Sequence, residues 1–216
     1  LPLLDSIFIK NPSLRNIFAD GFISSMMGGV QVKGGRNRHV NTFNLNVEVS
    51  GLLSGLIKND FLDTNLFRFL KVDAEFARKI HFKKSSLVLH SFIGLGYEFN
   101  ATVHKDKRYN LPLLRQYFAG GPNSMRAWGL RKLGPGASIK DFGTTGLPDR
   151  YGDVHIEANI EYRFPLVKAF GLPIEGALFT DIGNIWFMKS APSRPSEEVF
   201  SMRSLGKDLA VGMGAG

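Results

Sequence analysis

The run Gly152-Asp153-Val154-His155-Ile156-Glu157-Ala158-Asn159-Ile160-Glu161-Tyr162-Arg163-Phe164 decides the fold. Its even positions from Val154 to Phe164 are apolar, whereas the odd ones from Asp153 to Arg163 are polar or charged. A strict period of two belongs to an extended strand whose side chains alternate between faces. An amphipathic helix would instead group apolar residues three and four apart. The segment is therefore read as a strand with one greasy and one charged face.

The same alternation recurs along the chain. In Ser85 to Phe99, Leu87, Leu89, Ile93, Leu95, Tyr97 and Phe99 oppose His90, Gly94, Gly96 and Glu98. In Leu66 to Phe82, Leu70, Val72, Ala74, Phe76, Ile80 and Phe82 oppose Lys71, Asp73, Glu75, Lys79 and His81. Asn41 to Gly51 sets Phe43, Leu45, Val47 and Val49 against Asn44, Asn46, Glu48 and Ser50. Ile174 to Phe187 sets Ile174, Leu178, Ile182 and Trp186 against Glu175, Ala177, Phe179, Asp181 and Gly183. Phe18 to Lys33 gives a fainter strand, and Leu205 to Gly216 begins another. Several runs reach the length of about ten residues that carries a tilted strand across a bilayer.

The connections come in two sizes. Pro165 to Pro173 reads as a short turn, whereas Asn100 to Tyr151 and Lys189 to Ser204 are long, polar and rich in Gly, Pro, Ser and charge. Outer-membrane barrels pair short periplasmic turns with long outer loops, so the stretch at about 100–151 is expected outside or folded back into the lumen. Aromatic residues near strand ends (Tyr97, Phe99, Tyr162, Phe164, Trp186, Phe187) suit interfacial girdles. The fold class expected is all-β, an antiparallel transmembrane barrel of which residues 1–216 supply a segment. Further strands, and any soluble N-terminal domains, are expected outside this chain.

Composition narrows the alternatives. With 24 Gly, 18 Phe and 44% hydrophobic residues, the chain suits strands and turns better than a helical bundle. No stretch approaches the roughly eighteen consecutive apolar residues of a spanning helix. Leu1 to Lys10 lacks the basic start and small-residue cleavage site of a signal peptide. The absence of cysteine removes disulfides, thiolate metal sites and a cysteine nucleophile. A net charge of +8 points to an anionic partner. The basic runs Arg36, Arg38, His39 and His104, Lys105, Lys107, Arg108 fall at strand ends and loops, which favours solvated turns or lipid head groups over nucleic acid. His155 and Glu157 supply too few ligands for a metal site, and Ser124 has no nucleophile elbow or nearby loop histidine. No enzyme, cofactor or metal is expected.

Around the long loop, the polar faces gather Asp153, Glu157, Glu161, Glu175 and Asp181, opposed by Arg163 and His155. A cation entering that setting would be held by charge-assisted hydrogen bonds, and the loop offers Arg115, Arg126, Arg131 and Lys132. The run Tyr117-Phe118-Ala119-Gly120-Gly121-Pro122-Asn123-Ser124-Met125-Arg126-Ala127-Trp128, continuing to Leu133-Gly134-Pro135-Gly136, resembles the sixth extracellular loop of the BamA/TamA superfamily, also called the bacterial surface antigen family. Phe179-Thr180-Asp181-Ile182-Gly183-Asn184-Ile185-Trp186 is similar to that family's Phe-x-Asp-x-Gly strand, and Glu157 to Pro165 to the strand between them.

The resemblance implies a barrel of about sixteen strands with a lumen-entering loop. It implies that Gly120, Gly121, Asn123, Ser124, Arg126, Ala127 and Trp128 form the loop motif. Asp181, with Glu161, Phe179 and Gly183, would be its lumen partners. Ala127 and Trp128 depart from the family's usual Gly and Phe or Tyr, and alanine makes a positive φ costly. The implied function is assembly and insertion of outer-membrane proteins, or translocation of secreted ones, in the bacterial outer membrane. Implied partners are unfolded protein substrates, outer-membrane lipid and accessory assembly subunits. Two other classes fit the strands alone: a passive porin-like barrel, and the barrel domain of an outer-membrane hydrolase.

Overall fold

A computed structural model describes residues 21–51, 60–99, 109–138, 150–169, 171–192 and 194–216. The run His104 to Arg108 and Leu1 to Lys10 lie outside the described residues. Seven antiparallel strands form one sheet in chain order: β1 (Ser25–Arg36), β2 (His39–Ser50), β3 (Phe69–His81), β4 (Ser86–Glu98), β5 (Val154–Ala169), β6 (Leu172–Trp186) and β7 (Ala210–Ala215). Each strand pairs with the next one along the chain, so β1 and β7 are both free edges and the described sheet is open. Two short helices, α1 (Asp60–Asn65) and α2 (Leu205–Asp208), and two 3-10 turns complete it.

Register carries the sequence alternation across the sheet. Val30 pairs with Leu45, Leu45 with Ala74, Ala74 with Ile93 and Ile93 with Ile156, which makes a continuous apolar row. On the opposite face Gln31 pairs with Asn44, Asn44 with Glu75, His90 with Asn159 and Asn159 with Asp181. The amphipathicity is inverted relative to a water-soluble sheet. Val30, Val32, Phe43, Ile93, Ile160, Tyr162, Leu178 and Met213 are exposed, whereas Glu48, Glu98, His155, Glu157, Asp181 and Asn184 are buried. Residues 109–138 lie over that polar face.

Three sequence expectations are corrected. Pro165 and Pro173 lie within β5, which runs to Ala169, and β6, which starts at Leu172. Proline lacks an N–H and disrupts a ladder, but here the register shifts between Pro165 and Val167, a bulge that absorbs the missing donor. The segment expected to be a strand from Leu205 opens instead with α2, and β7 starts at Ala210. Trp186 is fully buried: its Nε1 donates to Asp208 Oδ2 (3.3 Å) and its ring meets Phe200 edge-on. It is a packing residue beneath the 187–209 connection and not an exposed girdle aromatic.

Candidate functional site

The site forms where the loop tip meets β5 and β6. Gly120 and Gly121 take φ of +103° and +98°, a region open to glycine, and a Cβ on Gly120 would lie 2.2 Å from the Gly129 carbonyl oxygen. They start a closed turn in which the Gly121 amide donates to the Trp128 carbonyl (2.9 Å) and the Ser124 amide to that of Gly121 (3.2 Å). Met125 is buried with Tyr117, Ala119, Leu133 and Ile185, which seats the tip on the sheet. Gly183 makes this approach possible, since a Cβ there would lie 2.6 Å from the Ile156 carbonyl oxygen and 3.2 Å from Met125 Sδ. Pro122 and Asn123 are exposed.

Seating Met125 aims Arg126 at the acidic residues of β5 and β6. Its Nε donates to Asp181 Oδ2 (2.9 Å) and one terminal nitrogen to Asp181 Oδ1 (2.6 Å), while its own backbone amide adds a bond to Oδ2 (3.0 Å). The other terminal nitrogen donates to Glu161 Oε2. The guanidinium carbon lies 3.7 Å from the centroid of the Phe179 ring. Asp181 has 0% side-chain exposure, so its charge depends on these donors and on Asn159 Nδ2 at 3.0 Å. The hydrogen bonds to Asp181, reinforced by Glu161, raise the Arg126 pKa above its ordinary value, so the guanidinium stays charged.

Beside this clasp, Ser124 Oγ donates to Glu157, whose carboxylate also meets His155 Nε2 at 3.0 Å. Among the described residues, no group of three side chains could hold a metal ion. Ala127 does not adopt a positive φ, so the departure from glycine costs no left-handed strain. Its Cβ and the Trp128 ring instead cover Gly212 of β7, where an added Cβ would lie 2.8 Å from the Ala127 Cβ. Glu175, grouped with the acidic face by sequence, is exposed near the β5–β6 turn and away from the clasp.

Sequence reasoning did not anticipate the anchors along the rest of the loop. Arg115 Nε donates to Glu48 Oε1 (2.9 Å), and Tyr117 donates to Asp73, with burial and this carboxylate pushing the phenol pKa up. The Leu111 amide and Gln116 Nε2 donate to Asp153 Oδ1 (3.0 and 3.2 Å), and the Met188 amide donates to Oδ2 (3.3 Å). Burial raises the Asp153 pKa to about 6 despite these donors. Asn184 Nδ2 donates to the carbonyls of Gly136 (2.9 Å) and Asp208 (2.6 Å), tying the loop to the segment before β7.

A polar belt also runs outward from Asp181. Asn159 Oδ1 meets His90 Nδ1 (2.8 Å), His90 Nε2 meets Glu75 Oε1 (2.9 Å), and Asn44 Nδ2 donates to Glu75 Oε2 (2.9 Å). Gln31 Nε2 then donates to Asn44 Oδ1 (2.7 Å), so the belt crosses from β6 to β1 strand by strand.

No curated protein matches the sequence. Residues 42–216 match the Omp85 superfamily domain, a span that covers β3 to β7, most of β2 and the whole loop. The chain belongs to the Omp85 superfamily, whose members serve outer-membrane protein assembly and translocation.

Proposed function

We propose that the chain is one arc of a transmembrane barrel of about sixteen strands in the bacterial outer membrane, which assembles and inserts outer-membrane proteins or translocates secreted ones. The single observation that carries this reading is the inverted sheet, with a charged face sealed by a loop and an apolar face left open. Water-soluble sheets bury the opposite face, whereas a barrel in lipid turns its apolar side chains outward and keeps polar ones in the lumen. The loop then lies in the lumen, with Arg126 held by Asp181 and Glu161 as the pin that fixes it to the wall. No cofactor or nucleotide is required. Edge pairing at a barrel seam would accept an incoming strand, alongside N-terminal periplasmic domains and accessory subunits.

The test is a charge swap in the full-length protein, read by heat-modifiable gel mobility and by acceleration of substrate folding in liposomes. Arg126→Glu and Asp181→Arg are each expected to lose compact mobility and activity, and the double variant to regain both in part. Unchanged mobility and activity in both single variants would remove the pin from the mechanism. Ion conductance without any acceleration of substrate folding would indicate a passive pore.

A further inference from the structure

The connections alternate between two ends of the sheet, and among the described residues the ends differ in how their charges are paired. One end holds the three tight hairpins: Arg36 to His39, His81 to Ser86, and Ala169 to Leu172. It carries Arg36, Arg38, Lys83, Lys84 and Lys168, all exposed and, among the described residues, without a salt-bridge partner. The opposing charge at this end is the exposed Glu175. Among the described residues of the long-loop end, several charges are tied up internally, Arg115 with Glu48, Lys189 with Glu98 and Arg194 with Asn110, while Arg203 and Lys207 are exposed. Beside the basic hairpins, the open face exposes Phe82, Tyr162, Leu166, Val167, Leu172 and Ile174.

We propose that the three hairpins form a basic collar that gathers anionic phospholipid head groups in the leaflet they face, an inference that rests on the membrane-spanning reading above. The contiguity of unpaired cations with an exposed apolar band points to lipid rather than to an acidic protein. Such a band ends at the head-group layer, where long lysine and arginine stems reach outward while their aliphatic parts stay on the apolar surface. The charges are spread over three separate hairpin tips and build no pocket, which suits a fluid ring of head groups. Short turns face the periplasm, so the leaflet is the periplasmic one.

The experiment uses the full-length protein in phosphatidylcholine bilayers with spin-labelled lipids. A motionally restricted component from labelled phosphatidylcholine reports the membrane-spanning reading; its absence would sink that reading and the collar with it. The collar itself is read from the preference for labelled phosphatidylglycerol over phosphatidylcholine. We expect a preference of about fivefold that shrinks as salt rises. The variant R36Q/R38Q/K83Q/K84Q should bring it close to one, and R203Q/K207Q at the opposite end should leave it unchanged. A wild-type preference near one, or a preference that survives the collar variant, overturns the proposal. If the collar variant folds poorly, R36Q/R38Q and K83Q/K84Q taken separately decide the matter: each should lower the preference in part, and an unchanged preference in both overturns the proposal.

Discussion

The two faces of this sheet share one backbone and one register, yet they solve opposite problems. On the loop-covered face, Asp181, Glu157 and Glu48 are sealed from solvent and every one is met by a donor or ring nitrogen. On the open face, Leu178 is 53% exposed although its neighbour Ala177 points to the covered side. The difference teaches that burial follows the surroundings each face meets and not the polarity of its side chains. A charged face can be an interior when a loop supplies its counter-ions, and an apolar face can be a surface when hydrocarbon is its solvent.

The comparison breaks most severely if the counter-ion is removed. Asp181→Ala leaves the guanidinium with Glu161 and the Phe179 ring, and removing one partner of such a buried pair costs about 3–5 kcal/mol. Unfolding in urea should show the loss, and trypsin should newly cleave at Arg126. Next comes the open face. Leu178→Arg is expected to lower stability in bilayers by about 2–4 kcal/mol, an effect that should fade for a site nearer the hairpins. Lipid reconstitution followed by guanidinium titration measures both, and an unaffected bilayer stability would contradict an open face in hydrocarbon.

A subtler change tests how closely the loop must approach. Gly183→Val would push on the Ile156 carbonyl and on Met125, at an overpacking cost of about 1–3 kcal/mol, with protease sensitivity confined to residues near the tip. The smallest effect concerns Asp153. Its folded pKa of about 6 lies above its ordinary 3.8, so the folded state holds the proton more tightly than the unfolded one. The stabilisation is greatest in acid, falls as pH rises through this window and is flat above it. Asp153→Asn, an uncharged stand-in for the protonated carboxyl, should match the wild type in acid, be the more stable of the two at neutral pH and flatten that slope, as measured by unfolding midpoints across this window.

How much of this was legible in the sequence depends on the range of each interaction. Strand alternation is local, so the core of β5 from Val154 to Phe164 could be read directly; the extension through Pro165 could not, because a bulge depends on its partner strand. Arg126 and Asp181 could be linked through a family motif even though they lie 55 positions apart. Arg115 and Glu48, 67 apart, carry no such motif, and any lysine or arginine in the loop would have served equally well on paper. Tyr117 entered the sequence reading only as the start of the loop run, which carries no sign that its hydroxyl donates to Asp73. Asn184 and Asp153 sit at strand ends, where alternation gives a face but says nothing of which loop amide will arrive.

The belt from Asp181 to Gln31 has a mechanical consequence. Its links are arranged in series across the strands, so a displacement imposed at one edge is shared among them according to stiffness. The carboxylate–guanidinium clasp, with its several charge-assisted bonds, yields least, whereas the neutral link between Gln31 and Asn44 lies exposed to competing water and yields more readily. Shear at the β1 edge is therefore absorbed near β1, and the loop tip is insulated from it.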